Sequence, residues 1–334
     1  MALRKRARWW LLGGLAALGA LYGGVIGFAL GLYRDYPRAD AAVHTQYHYQ
    51  WFADDSLRSP EAYGWTGYEE LSFTSDGLKL GGWWFPATDS SVTQTLILVH
   101  GRWSSRYRFV SSLPVLDSAQ VRRYANVFIP DLRNSGTSDE APTGFGQLFA
   151  RDLANAVAYL KQAKGQTQVL LYGQSQGAMA SLIYAARPLF VAQRQQIGVR
   201  LSGVLLESPL ANATANVLDK GAKDGYPGWF VRHTLSWYDL LYTGGFLDSM
   251  DLSTLVPALE APVTLTQTRI DSICPTPIFE QELAEVGPLP ENVQVVWFEA
   301  GKHARTVWEP ANRPRFAALL HDLVAGTTAE AQVP

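Results

Sequence analysis

The sequence predicts an α/β fold, a mostly parallel sheet covered by helices on both faces, carried behind an N-terminal transmembrane helix. Three observations predict it. Short continuous Val/Ile/Leu runs alternate with stretches of helical period, the pattern of strands buried on both faces by the helices that connect them. One of these runs, Val169-Leu170-Leu171-Tyr172, leads directly into Gly173-Gln174-Ser175-Gln176-Gly177, a G-x-S-x-G turn followed by helix formers up to Pro188. Arg4, Lys5, Arg6 and Arg8 precede an uncharged run over residues 9–33, long enough as a helix to cross a hydrocarbon core of about 30 Å.

Composition narrows the class. The 334 residues are 47% hydrophobic and 17% charged, enough apolar material for one sizeable domain with an appendage. The formal net charge is -2 and no Lys/Arg block lies beyond the first eight residues, so the electrostatic footprint of a nucleic-acid partner is missing. Cys274 is the single cysteine; it has no intrachain disulfide partner and no second thiolate with which to build a metal cluster.

The elements follow in order. Residues 1–8 form a basic tip and 9–33 the anchor. Arg34 and Arg38 beyond it are interleaved with Asp35 and Asp40, so the charge asymmetry puts the N-terminus in the cytoplasm and the rest of the chain outside. A cleaved signal peptide is the rival reading, with Ala17-Leu18-Gly19 as small residues at suitable spacing, but such peptides have shorter apolar cores. Gly19, Gly23, Gly27 and Gly31 line one helix face, read either as ordinary span composition or as a seam for self-association into a homo-oligomer. Residues 34–67 read as a linker. A hairpin follows, Tyr68 to Thr74 and Leu78 to Phe85 around Ser75-Asp76-Gly77. Strands are then expected at Thr95 to Val99, Ala125 to Ile129, Val169 to Tyr172 and Val199 to Leu206, with helices within Arg106 to Ser118, from Gln147 to Lys164, and after the serine turn. The Gln147 helix carries Leu148, Phe149, Leu153, Val157 and Leu160 on one side. Between 208 and 256 the alternation breaks into an aromatic-rich insert, containing Trp229, Phe230, Trp237, Tyr238, Tyr242 and Phe246, that either packs on the domain or forms a lid over an apolar pocket. Strand Val263 to Gln267, a helix around Thr276 to Val286, strand Val293 to Phe298 and a helix from about Asn312 to Val324 complete a domain over 68–326, leaving 327–334 as a tail.

A serine hydroxyl is a poor nucleophile near neutral pH, so Ser175 needs a histidine base and an acid to orient it. Of six histidines, only His303 stands in a loop after the last strand, where the third member of a Ser, acid, His order falls. Asp271 ends the preceding strand at the same sheet edge. Asp248, Asp251 and Glu207 compete for the acid role but read more simply as solvated or helix-capping carboxylates. An acyl-transfer oxyanion would meet the backbone amides of Gln176, next to the nucleophile, and Arg102, in the loop His100-Gly101-Arg102-Trp103. His100 is expected to hold that loop by hydrogen bonding.

Together, His100-Gly101, Asp131-Leu132-Arg133-Asn134-Ser135-Gly136, the Ser175 turn, Arg269-Ile270-Asp271 and Gly301-Lys302-His303 resemble the α/β-hydrolase superfamily. With the anchor and the Asp76-to-Trp83 hairpin, they resemble its membrane-anchored α/β-hydrolase-domain serine hydrolases. The resemblance covers roughly 68–324 and implies an eight-stranded sheet, a cap after the sixth strand, and the triad Ser175, Asp271, His303. Asn134 stands where that family commonly has glycine, and Asn tolerates positive φ. Gln267-Thr268 stand where the acid is often preceded by His-Gly.

The expected function is hydrolysis of carboxylic esters or related acyl bonds through an acyl-enzyme, with no cofactor and no metal, on a small or lipid-like ester. Two readings stay open beside it: an aminopeptidase or other amide hydrolase, and a membrane-tethered binding protein on the same fold.

Overall fold

A computed structural model describes residues 2–34 and 59–326. Most of the expected linker, 35–58, and the tail, 327–334, lie outside the described residues. Eight strands form one sheet in the order β1-β2-β4-β3-β5-β6-β7-β8: β1 Glu69–Ser75, β2 Leu78–Phe85, β3 Gln94–Val99, β4 Asn126–Asp131, β5 Gln168–Gln174, β6 Arg200–Glu207, β7 Val263–Thr268 and β8 Val293–Phe298. The hairpin β1–β2 joins β4 antiparallel, and every other pairing is parallel. Parallel pairing aligns the carboxyl ends of β3, β5, β6, β7 and β8 along one edge, where the chain leaves each strand for a loop.

Among the described residues, the α-helices of six or more residues are α1 Ala2–Arg34, α2 Leu113–Ser118, α3 Gln147–Lys164, α4 Gln176–Ala186, α5 Pro188–Ile197, α6 Ala213–Lys223, α7 Gly228–Tyr238, α8 Thr276–Val286 and α9 Arg313–Ala325. Two apolar cores result. One packs α3 and α4 against one face through Phe149, Leu153, Val157 and Ile183. The other packs α2 and α9 against the opposite face through Leu113, Leu116, Phe316 and Leu320. Helix α5 is unforeseen by periodicity: Pro188, which stops α4, occupies the first turn of α5, where its missing N–H costs nothing and its fixed φ favours a helix. Asp152, in α3, is fully buried. It accepts from Arg133 (2.7 Å) and from Ser75 Oγ (2.7 Å), tying α3 to the hairpin and to the loop after β4.

The insert leaves after β6 and returns before β7. At its root Asn212 and Asp251 form an isolated bridge, with Ala213 N donating to Met250 O (3.0 Å) and Leu252 N to Ala211 O (2.8 Å). Helix α1 is long and apolar enough to cross a membrane over Leu12–Gly31, a property shared by anchors and signal sequences. It begins at Ala2, so residues 2–8 of the tip are helical. Ile26 and Ala29 are buried and Leu30 packs on the core. Tyr22 meets α7, its hydroxyl accepting from Trp237 Nε1 (2.8 Å) and pairing with His233 Nε2 (2.7 Å). At Gly19, Gly23 and Gly27 an added Cβ would meet nothing within 4 Å.

Candidate active site

Ser175 stands between β5 and α4 with φ 54° and ψ -120°, a backbone conformation that L side chains rarely adopt. The turn is enforced by close backbone approach. A Cβ on Gly177 would lie 2.2 Å from Val99 O and 2.4 Å from His100 O, and one on Gly173 would lie 2.6 Å from Gly177 O. Only glycine fits at either position. The neighbouring loop is equally near, since a Cβ on Gly101 would lie 3.0 Å from Ser175 Cβ and 3.6 Å from its Oγ. Arg102 follows Gly101, and its guanidinium lies over the Phe145 ring at 5.9 Å.

His100 braces this loop from beneath. Its Nε2 accepts from Leu132 N (3.0 Å), so the proton is on Nδ1, which donates to Gly101 O (2.8 Å). Complete burial drives its pKa below the ordinary histidine value, against the opposing pull of Gly101 O, Asp131 and Asp152. The imidazole is a neutral structural strut. The Asp131 motif supports the same loop region: its carboxylate accepts from Arg106 N (2.8 Å) and Thr137 N (3.1 Å), and a Cβ on Gly136 would overlap it. Asn134 adopts φ 61°, the left-handed conformation that asparagine tolerates better than most residues.

Asp271 and His303 meet at the carboxyl edge, His303 Nδ1 lying 2.8 Å from Asp271 Oδ2. The carboxylate also accepts from the amides of Ile273 (2.9 Å) and Cys274 (2.8 Å) through Oδ1. Burial is the largest influence on its pKa and raises it. The hydrogen bond and charge of His303, with the two amides, outweigh burial and hold Asp271 below the usual carboxylate value. An ionised Asp271 can only accept, so His303 donates through Nδ1–H and keeps the Nε2 lone pair for another partner. Among the described residues no hydrogen bond joins Ser175 Oγ to His303; such contacts commonly tighten only with substrate in place.

What holds the His303 loop against the serine turn is Glu207, at the end of β6. It is fully buried rather than solvated or capping, contrary to expectation. Its backbone carbonyl accepts from Ser175 N (2.9 Å). Its side chain accepts from Tyr172 OH and Gln174 Nε2 (2.9 Å) in β5, and from Thr306 N (2.8 Å) in the His303 loop. Burial, followed by Glu207, pushes the Tyr172 phenol well above its ordinary pKa, so it stays a donor. Next along the chain, Ser208 Oγ accepts from Ala304 N (3.2 Å), and Arg108 donates to Ala304 O. Burial, with Arg305 nearby, brings Arg108 down to about 10, which leaves it charged near neutrality. Trp103, Ser208 and Ala304, with φ of 59°, 50° and 47°, place further positive-φ residues around the serine.

Of the expected competitors, Asp251 caps a short helix through Thr254 N (2.6 Å), and Asp248 is exposed. The Gln176 side chain is buried, and neither of its amide atoms has a hydrogen-bond partner among the described residues, which leaves them for water or substrate. No group of three His, Cys, Asp or Glu side chains suited to a metal ion occurs among the described residues.

The family model described as the Alpha/beta hydrolase family matches residues 96–330. The uncharacterized protein YfhR of Escherichia coli O157:H7 is 29% identical over 170 residues, 48% of this chain and 53% of that protein. The chain thus spans about half the length of the curated relatives it matches. An esterase of Pyrococcus furiosus superposes with a TM-score of 0.57 at 20% identity, covering 80% of this chain and 94% of that one. An alpha-beta hydrolase from Vibrio vulnificus gives 0.56 at 16% identity, covering 85% and 97%. At these identities the likeness is one of fold.

Proposed function

Since the chain belongs to the alpha/beta hydrolase family, we propose that it hydrolyses carboxylic esters through an acyl-enzyme on Ser175, with His303 as base and Asp271 as its orienting acid. The observation that carries this reading is the Asp271–His303 pair at 2.8 Å, on the sheet edge where a serine is held at φ 54°. Ser175 Oγ attacks the acyl carbon and gives its proton to His303 Nε2. The imidazolium that forms is stabilised by Asp271, whose lowered pKa keeps it ionised. The amides of Arg102 and Gln176 receive the oxyanion. His303 then protonates the leaving alkoxide, and water, deprotonated by the same nitrogen, releases the acid.

In this reading α1 is a single-pass anchor with its N-terminus in the cytoplasm and the catalytic domain outside. The basic residues before the span and the mixed charges after it support that orientation. The insert over 208–256 is a cap over the serine edge. The test is fluorophosphonate labelling and turnover of p-nitrophenyl esters by the full chain and by Ser175→Ala. Loss of both in the variant is expected, and labelling that persists removes Ser175 as the nucleophile.

A further inference from the structure

The anchor and the cap are too close together for the cap to stand clear of the membrane. Every described residue of α1 from Leu12 to Val25 is exposed, while docking on the domain begins at Tyr22 and deepens at Ile26 and Ala29. Ahead of Tyr22 the uncharged part of α1, Trp9 to Leu21, rises only about 20 Å at ~1.5 Å per residue. A hydrocarbon core is about 30 Å thick, so roughly 10 Å of the crossing falls to the stretch from Tyr22 onward. That stretch is the one bound to α7. A membrane deep enough to contain it also contains the face of α7 beside it.

We propose that this face of α7, with the turn that follows, lies inside the leaflet on the domain's side of the membrane, and that the site draws an amphiphilic ester directly from that leaflet. The inference rests on reading α1 as an anchor.

The side chains fit hydrocarbon. Trp229 is 73% exposed, Leu240 67% and Leu241 55%, and Trp237 and Phe246 are also exposed. The same hydrocarbon core that covers exposed Leu12, Leu15 and Leu18 of α1 in the opposite leaflet would cover them in this one. The polar groups at this depth are mutually paired, as hydrocarbon requires: Tyr22 OH with Trp237 Nε1 and His233 Nε2. Arg232, exposed on the same helix, has a stem long enough to carry its charge to the headgroups. The other end of α7 reaches the serine edge. Tyr238 OH accepts from Gly144 N (3.1 Å), its ring meets Phe145 at 5.1 Å, and Phe145 in turn meets Arg102 beside Ser175. One helix therefore runs from the anchor to the candidate site, and an ester in the leaflet would have its acyl chain along α7 while its headgroup stayed at the surface.

The test uses the full chain in phosphatidylcholine vesicles whose acyl chains carry bromine, a contact quencher. Leu241→Cys, Leu18→Cys and Ser90→Cys are each labelled with nitrobenzoxadiazole; native Cys274 is buried and stays unlabelled. Ser90 lies in the exposed loop before β3, at the amino edge of the parallel strands. Quenching at Leu241 and Leu18 but not at Ser90 is expected. Quenching at Leu18 with none at Leu241 overturns the immersed cap and leaves the anchor standing. No quenching at Leu18 removes the anchor, and this inference with it. A second readout is the pair Leu240→Asp and Leu241→Asp, because carboxylates resist transfer into hydrocarbon. Together they are expected to lower turnover of a long-chain ester in vesicles by about tenfold while p-nitrophenyl acetate stays within about twofold of wild type. Equal loss on both esters overturns supply from the leaflet.

Discussion

Replacing Glu207 by alanine removes an acceptor from three buried donors, Tyr172 OH, Gln174 Nε2 and Thr306 N, but Gln174 Nε2 keeps Tyr172 OH as an acceptor (2.9 Å), so two are left unsatisfied. Leaving a buried donor unsatisfied costs about 1–3 kcal/mol. Water admitted into the vacated space offsets part of that, so the two donors together lose roughly 2–4 kcal/mol. This is a large share of the about 5–15 kcal/mol that holds a domain folded. At ~2–4 °C per kcal/mol for a domain of this size, the melting temperature should fall by about 4–16 °C. Glu207→Gln keeps the volume and one acceptor oxygen but turns an NH2 toward groups that are themselves donors, so its loss should be about 1–3 kcal/mol. Thr306 lies three residues past His303, so the glutamine variant should also misplace the imidazole, lowering kcat about 10- to 100-fold with KM little changed. Thermal denaturation followed by circular dichroism, with ester kinetics on the same preparations, measures both. A Glu207→Ala protein melting within about 2 °C of wild type would refute the reasoning, because two orphaned buried donors cannot be that inexpensive.

Asp271→Asn should fold and lower kcat by roughly a thousandfold, since an amide can present its NH2 to Nδ1 and favour the wrong tautomer; activity within about tenfold of wild type would remove Asp271 as the orienting acid. Gly177→Ala forces a methyl against the backbone at Val99 and His100 and should cost at least about 3 kcal/mol, read as a lower urea midpoint. His100 carries a pKa depressed by burial, so the unfolded chain takes up its proton first as pH falls. Its contribution is intact above the ordinary histidine value of about 6.5 and drains away below it, so the melting temperature should decline from pH 7 to 5 less steeply in His100→Asn than in wild type. Cys274 is buried, with its thiol pushed well above the ordinary value by burial and then by Asp271, so N-ethylmaleimide at pH 8 should label it only after unfolding.

The parts legible in the sequence are those governed by local pattern. Helix α3 begins and ends where its apolar stripe does, and Ser175 is identified by glycines that the backbone of β3 and its following loop leave no room to replace. Chain order along a parallel sheet brings Asp271 and His303 to one edge, where they are hydrogen bonded. Glu207 is invisible to such reasoning. Nothing near it in sequence marks it as buried, since one of its donors, Thr306, comes from 99 residues away. Docking of Tyr22 on α7 spans more than two hundred residues and has no periodic signature. Helix α5 is obscured for a different reason: a proline reads equally as a stop and as a start, and only the backbone after it decides.

The bridge between Asn212 and Asp251 gives the insert a closed neck. Its two ends are fastened to each other before either reaches the sheet, so the chain between them adds little to the entropy of bringing β6 and β7 together. Lineages can therefore lengthen, shorten or exchange the residues above that neck without renegotiating the register of Val204 with Val263. What the candidate site accepts can therefore change by replacement of one module, while the turn that bears Ser175 keeps its place.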